Sequence, residues 1–315
     1  LMRDDMSGAI PIKFDPASLV LLNAILALMM FGVSLELRPA DFKRILLSPR
    51  APFAGLFAQF LLLPAGTCLV TWAFRIDPEL ALGMILVAAC PGGSFSNIMT
   101  WLARGNVAVS VSMTAVSSLA AAVLTPLNFA LYGYVNPYTR GLLTSIAVDP
   151  VELLLLVLLV LGVPLLLGMW IGQRFPNLSA RVEKPLRKAA LLVFLTFVGI
   201  AFFNNYGLFI ERFHTFFWLV VAHNTLALAL GAVMGWLMRL PTPDRRAVTL
   251  EVGIQNSGLG LVILFTFMPE AGGMMLITAF WGVWHLVSGL FLATVWSRMP
   301  VPAAAVAASA GARHR

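Results

Sequence analysis

The sequence predicts an all-α polytopic membrane protein, and three observations carry that prediction. Of 315 residues, 60% are apolar and only 11% charged, against roughly 25% charged in a soluble domain. The mean hydropathy is +0.90, so lipid must be the solvent for most of the surface. The apolar residues also form continuous runs such as 153–167, whereas barrel strands would alternate over about ten residues. A soluble enzyme, a nucleic-acid-binding module and a disordered chain are excluded together. The formal net charge of +7 does not restore nucleic acid as a partner, because the basic residues lie between apolar runs rather than on one soluble face. Cys68 and Cys90 both sit inside such runs, which leaves no disulfide framework and no Cys-based zinc spacing.

A helix crossing about 30 Å of hydrocarbon needs about 20 apolar residues. Nine spans meet that length, at about 16–37, 51–74, 79–102, 106–133, 148–172, 188–208, 212–238, 247–268 and 272–297. Span one is too long for a signal peptide and lacks a basic n-region. Span two carries Gln59 and a lone Pro64. Span three breaks at ACPGGSFSN, residues 89–97. Span four places Ser110 and Thr114 four apart, on one helix face, and contains Pro126. Span five holds Glu152 near its end, Pro164, and glycines at 168 and 172. Span six follows a basic segment, and span seven contains His223 with glycines at 231 and 235. Span eight breaks at EVGIQNSG, residues 251–258, and span nine contains His285. The lone prolines predict kinks relieved by neighbouring groups, and the paired glycines predict close helix approach.

Charge placement sets the orientation. Placing the first connection, with Arg38, Lys43, Arg44 and Arg50, in the cytoplasm puts 16 of the 21 lysines and arginines on that side. Only Arg3, Lys13, Arg75, Arg140 and Arg212 fall opposite. The N-terminus is therefore expected outside and the C-terminus inside, as an odd number of spans requires.

The two breaks are distinct from the other irregularities. Each combines glycine with a cluster of hydroxyl and amide side chains near mid-span, and unwound backbone at that depth must be buried in protein or line a cavity. They lie five spans apart and so cross in opposite directions. Spans one to four and six to nine then form inverted-topology partners, the pattern of secondary transporters. Glu251 is the one acidic residue with enough helix on both sides to sit deep in the bilayer. A charge there costs at least about 2.5–3.5 kcal/mol and usually lines an ion or substrate path. With no intramembrane Lys or Arg to pair with it, its counter-charge is a proton or a bound cation. Ser96, Asn97, Ser110, Thr114, Gln59 and Gln255 supply oxygens suited to a hard cation, and unwound backbone at Val252 and Ile254 adds carbonyls. His223 and His285 are isolated imidazoles, which argues against a transition metal. A single deep carboxylate without a nucleophile–base pair argues against an intramembrane hydrolase.

These residues resemble the bile acid:sodium symporter family. The segment CPGGSFSNIMTWLARGN (90–106) is similar to its signature in the first broken helix, and EVGIQNSG to that in the second. Gln59 in AQF, Ser110, Thr114, His223-Asn224 and Trp284-His285 also fall where the family pattern places them. The resemblance implies two crossed discontinuous helices, a core of about 51–133 and 212–268, and a panel of about 16–50, 148–208 and 272–297. It implies one sodium site of Ser96, Asn97, Ser110, Thr114 and Glu251. A second would use Gln59, Glu251, Gln255 and the carbonyls of Val252 and Ile254. Ser96 and Asn97 would also cap the second half of span three. Substrate would lie between core and panel near Ser94, Phe95, Asn256 and His285. Three departures stand out: the first of ten helices found in some bacterial members is lacking, Phe95 replaces a small residue, and Leu286 follows His285 in place of an amide.

The expected function is sodium-coupled symport of a small or amphipathic organic anion by alternating access, in the inner membrane, with no cofactor beyond about two sodium ions and no enzymatic activity. A proton-coupled antiporter and a non-transporting membrane sensor are the alternatives. The sequence leaves the oligomeric state open.

Overall fold

The computed structural model describes residues 50–146, 150–204, 206–268 and 270–300, with a few positions between 24 and 49. The first expected span and both termini lie largely outside the described residues. All described elements are helices, and the one β feature among them is an isolated antiparallel bridge between Gly92 and Gln255. Four described helices are long and apolar enough to cross a membrane: Arg50–Ala73, Val107–Val135, Phe213–Leu237 and Gly272–Ser297.

Helix α1 runs from Arg50–Phe57 through a π turn at Ala58–Leu62 into Leu63–Ala73. It is followed by α2 (Pro78–Ala89), α3 (Phe95–Leu102), α4 (Val107–Val135) and the short α5 (Arg140–Ile146). Helix α6 runs from Pro150–Val157 through a second π turn, Leu158–Gly162, into Val163–Arg174. Then come α7 (Pro176–Asn204), α8 (Tyr206–Leu237), α9 (Thr242–Gly253), α10 (Ser257–Phe267) and α11 (Gly272–Ser297). Helix α2 starts cleanly because the Asp77 carboxylate accepts from Glu79 N and Leu80 N, at 3.0 and 3.3 Å, with Pro78 at the first helical position.

Both expected breaks are present. Helix α2 ends because Pro91 forces Cys90 into extended backbone, φ −69° and ψ 157°. Helix α9 ends at Gly253, after which Ile254 is extended at φ −117° and ψ 98°. Chain direction resumes at α10 behind Asn256, whose side chain accepts from Leu259 N at 3.1 Å. The two extended stretches pair with each other. Gly93 N donates to Ile254 O at 2.6 Å and Asn256 N to Pro91 O at 2.8 Å, one bond on each side of the Gly92–Gln255 pair. The crossing is thus a two-bond antiparallel ladder with a local two-fold.

Helix packing follows the glycines. A Cβ on Gly231 of α8 would lie 2.8 Å from Thr249 Cα, and one on Gly235 would lie 3.0 Å from Arg245 Cγ, so α8 runs tightly along α9. Gly168 and Gly172 of α6 abut the backbone of Phe31 and Leu35. Both glycine pairs therefore act in close approach, as expected. The sequence reading groups 272–297 with the panel, yet α11 packs on α2, α3, α8 and α10. Its small residues explain this: Gly289 faces Ile254 and Met99, Gly282 faces Ser257, and Gly83 of α2 faces Met274.

One of the lone prolines is relieved by a neighbour. Pro64 leaves the Phe60 carbonyl without a helical donor, and Asn128 of α4 supplies one at 2.8 Å. Pro164, which also follows a π turn, accepts at its own carbonyl from Ser34 Oγ at 3.0 Å.

Three helix ends share one design. In α1, α3 and α8 an arginine closes the helix in left-handed backbone: Arg75, Arg104 and Arg239, at φ 49°, 53° and 49°. Each donates its N–H to a tryptophan carbonyl three residues earlier, Trp72, Trp101 and Trp236, and the next residue reaches one residue further back. All three tryptophans are exposed, as suits side chains at a bilayer interface.

Candidate ion-binding site

Helix α9 is aimed at the crossing from its first turn. Asn106, at the start of α4, donates its N–H to Pro243 O at 2.9 Å and its side-chain amide to Asp244 at 2.8 Å. Arg246 is buried and donates to Ala103 O, at the end of α3, at 2.7 Å. These contacts hold α9 against α3 and α4, so Glu251, further along, projects between them.

The Glu251 carboxylate is 2% exposed and its partners are hydroxyls. Ser110 donates to Oε2 at 3.0 Å and Thr114 to Oε1 at 2.7 Å, and Ser96 makes a short bond to Oε2. Asn97 Oδ1 faces the same hydroxyls, 2.8 Å from Ser110 Oγ and 3.2 Å from Thr114 Oγ1. Ser96, Asn97, Ser110, Thr114 and Glu251 are thus together, as the sequence reading groups them. The capping role given to Ser96 and Asn97 is corrected. The cap position of α3 is Ser94, with no side-chain cap bond; both expected caps lie within the helix, where Ser96 donates to Glu251 and Asn97 Oδ1 faces the α4 hydroxyls.

The second group also assembles. Gln59 Nε2 donates to Cys90 O at 2.9 Å and to Gln255 Oε1, and Gln255 Nε2 donates to Val252 O at 2.7 Å. Ile254 O already accepts from Gly93 N. A carbonyl has two lone pairs, so each retains one acceptor site. Gln59 Oε1 is buried without a partner. No hydrogen bond joins Glu251 to Gln59 or Gln255 among the described residues; the link is Gly92, which is bridged to Gln255 and faces Glu251 Oε1.

Of the expected substrate groups, Ser94 and Asn256 stand at the cap positions of α3 and α10. Phe95 packs in a cluster with Met99, Ile254 and Trp296. His285 lies on the α11 face between Gly282 and Gly289, edge-on to Trp281, with a buried Nδ1 that has no partner. His223 is a packing element: Trp281 Nε1 donates to its Nδ1 at 3.1 Å, so Nε2 carries the proton facing Thr67 Oγ1 at 2.9 Å.

The sequence reading names Asn224 only as part of a family pattern and does not name Thr125, yet these two side chains hold the breaks open. Thr125 Oγ1 donates to Ala89 O and Asn224 Nδ2 to Gly253 O, each at 2.8 Å. Together with Gln59 they satisfy carbonyls that would otherwise cost several kcal/mol each in hydrocarbon. The available signal was an amide inside an apolar span, present at Asn128 and Asn224 alike.

Chemically, the crossing offers one carboxylate, three amide oxygens, three hydroxyls and backbone carbonyls. Among the described residues no group of three or more His, Cys, Asp or Glu comes together. An all-oxygen set with one negative charge and an orphaned amide oxygen fits a hard monovalent cation.

A family profile described as Sodium Bile acid symporter family matches residues 23–212. "Uncharacterized sodium-dependent transporter YocS" of Bacillus subtilis is 31% identical over 87% of this chain and 82% of its own length. "Probable sodium/metabolite cotransporter BASS1, chloroplastic" of Arabidopsis thaliana is 32% identical over 87% of this chain and 66% of its own. "Ileal sodium/bile acid cotransporter" of Oryctolagus cuniculus is 28% identical over 79% and 70%.

Proposed function

The chain belongs to the sodium bile acid symporter family, and on that premise we propose that it is a sodium-coupled symporter of a small or amphipathic organic anion. The observation that carries this reading is Glu251, a buried carboxylate whose partners are hydroxyls and not a basic side chain. One sodium ion sits among Ser96, Asn97, Ser110, Thr114 and Glu251. A second uses Gln59, whose Oε1 is otherwise unmatched, with Gln255, Glu251 and the carbonyls of Val252 and Ile254.

Two sodium ions against one carboxylate leave about +1 at the crossing, and a buried net charge is costly unless paired. A monoanionic substrate completes the balance. The N-termini of α3 and α10 meet at this depth, each with roughly half a positive charge, and Ser94, Asn256 and His285 supply side-chain contacts beside Phe95. The chain is a multi-pass membrane protein, placed in the inner membrane with its basic connections cytoplasmic. Its core comprises α1–α4 and α8–α11, with α6 and α7 in the panel, and alternating access is the rocking of one against the other.

The test is uptake into proteoliposomes at fixed pH, with bile acids and short keto acids as probes. Sodium outside and a negative interior should each speed uptake, the potential adding about 2.3 kcal/mol per 100 mV for one net charge. Uptake driven equally by a pH gradient in potassium would replace this reading with proton exchange. Binding of the anion without any flux would make the protein a sensor.

A further inference from the structure

The local two-fold of the crossing has a matching pair of supports around it. Counting outward from the Gly92–Gln255 pair, Cys90 and Gly253 stand at equivalent positions, each two residues before its bridge partner. Each carbonyl is held by one buried side-chain amide from the preceding long helix. Gln59 of α1 donates to Cys90 O at 2.9 Å, and Asn224 of α8 donates to Gly253 O at 2.8 Å. The two amides differ in what their oxygens do. Gln59 Oε1 has no partner, whereas Asn224 Oδ1 accepts the hydroxyl of Ser288 on α11. Ser288 also bonds His285 O at 3.2 Å. Asn224 is 1% exposed, so both ends of its amide are shielded from bulk solvent.

Resting on the sodium-coupled reading above, we propose that Asn224, oriented by Ser288, is the positioning residue of the ion-binding turn in the second break. It fixes Gly253 O, and thereby the direction in which the flanking carbonyls of Val252 and Ile254 are presented. The Ser288 hydroxyl fills at Asn224 the place that an ion takes at Gln59. One amide of the pair is a ligand, and its counterpart is locked as scaffold. The lock is directional: Nδ2 faces Gly253 O while Oδ1 faces the Ser288 hydroxyl, so the two bonds together fix one orientation of the amide. Removing the hydroxyl leaves a buried amide oxygen unsatisfied and loosens the amide, which weakens its hold on Gly253 O.

The experiment is melting of the purified full chain in detergent, titrated with sodium against potassium at constant ionic strength. Ser288→Ala should raise the half-saturating sodium concentration about fivefold, and Asn224→Ala about tenfold or more. Ser288→Thr keeps a hydroxyl and should stay within about twofold of wild type. If Asn224→Ala does not fold, the two Ser288 variants decide alone. Equal losses of melting temperature in both salts, with an unchanged sodium midpoint, would reduce the pair to ordinary packing and overturn the proposal. So would a Ser288→Thr variant no better than Ser288→Ala. A wild-type protein indifferent to sodium would instead overturn the coupled function, and this proposal with it.

Discussion

The Asn128 amide reaches from α4 to the Phe60 carbonyl at 2.8 Å, and that carbonyl is the one Pro64 leaves without a helical donor. A proline in one helix is thereby matched by an amide in another. Removing the amide leaves a buried acceptor unmet, at about 1–3 kcal/mol, so Asn128→Ala should lower the melting temperature markedly. In a Pro64→Ala background residue 64 regains its N–H, and the same change should cost far less. A double-mutant cycle on melting free energies checks this; strictly additive effects would show that the two residues are not linked.

Glu251→Gln preserves the shape of the site and removes its one carboxylate. The hydroxyls of Ser96, Ser110 and Thr114 keep an acceptor there, so the variant should fold, yet its melting temperature should no longer respond to sodium. Thr114→Ala removes one neutral ligand and should weaken the response without abolishing it. An unchanged sodium titration in Glu251→Gln would end the assignment of both ion sites.

Gly92 matters for space, not for backbone freedom. A Cβ there would run into the Glu251 carboxylate. Gly92→Ala should therefore displace the acid and impair sodium-dependent stabilisation more than Gly141→Ala, where a Cβ meets nothing within 4 Å. Equal behaviour of the two variants in a sodium titration would refute the close approach.

Orientation can be read with cysteine probes, because Cys68 and Cys90 are buried and should stay silent. A cysteine replacing exposed Tyr138 should react with an impermeant reagent from outside in intact cells. One replacing exposed Arg298 should react only after the membrane is opened. Labelling of both from the same side would contradict the charge-based topology.

The broken helices, Glu251 and its hydroxyl partners were legible because each breaks a rule of composition: glycine, polar clusters and an acid where apolar residues are expected. The assembly of Gln59 with Gln255 was legible only through resemblance, since nothing in their spacing brings positions so far apart in the chain together. The docking of α11 on the broken helices was not legible. Its apolar surface carries no mark of which neighbour it meets, and its glycines at 282 and 289 gain meaning only once Ser257 and Ile254 are seen against them. Ser288 and Thr125 were invisible for a related reason. A lone hydroxyl in a span usually bonds its own helix, as Thr67 and Thr249 do here.

On the proposed topology, the arginines that close three helices in left-handed backbone divide by membrane side. A side chain in that conformation costs roughly 1–2 kcal/mol that glycine does not, offset by about 0.5–1 kcal/mol of glycine's extra chain entropy. On that topology the charges of Arg104 and Arg239 favour a cytoplasmic position for their helix ends. On the same topology exposed Arg75 stands on the opposite face, where its charge works against insertion in that sense. Of the three corners it is the one at which Arg75→Gly would relax the backbone and sharpen the topological signal in a single step.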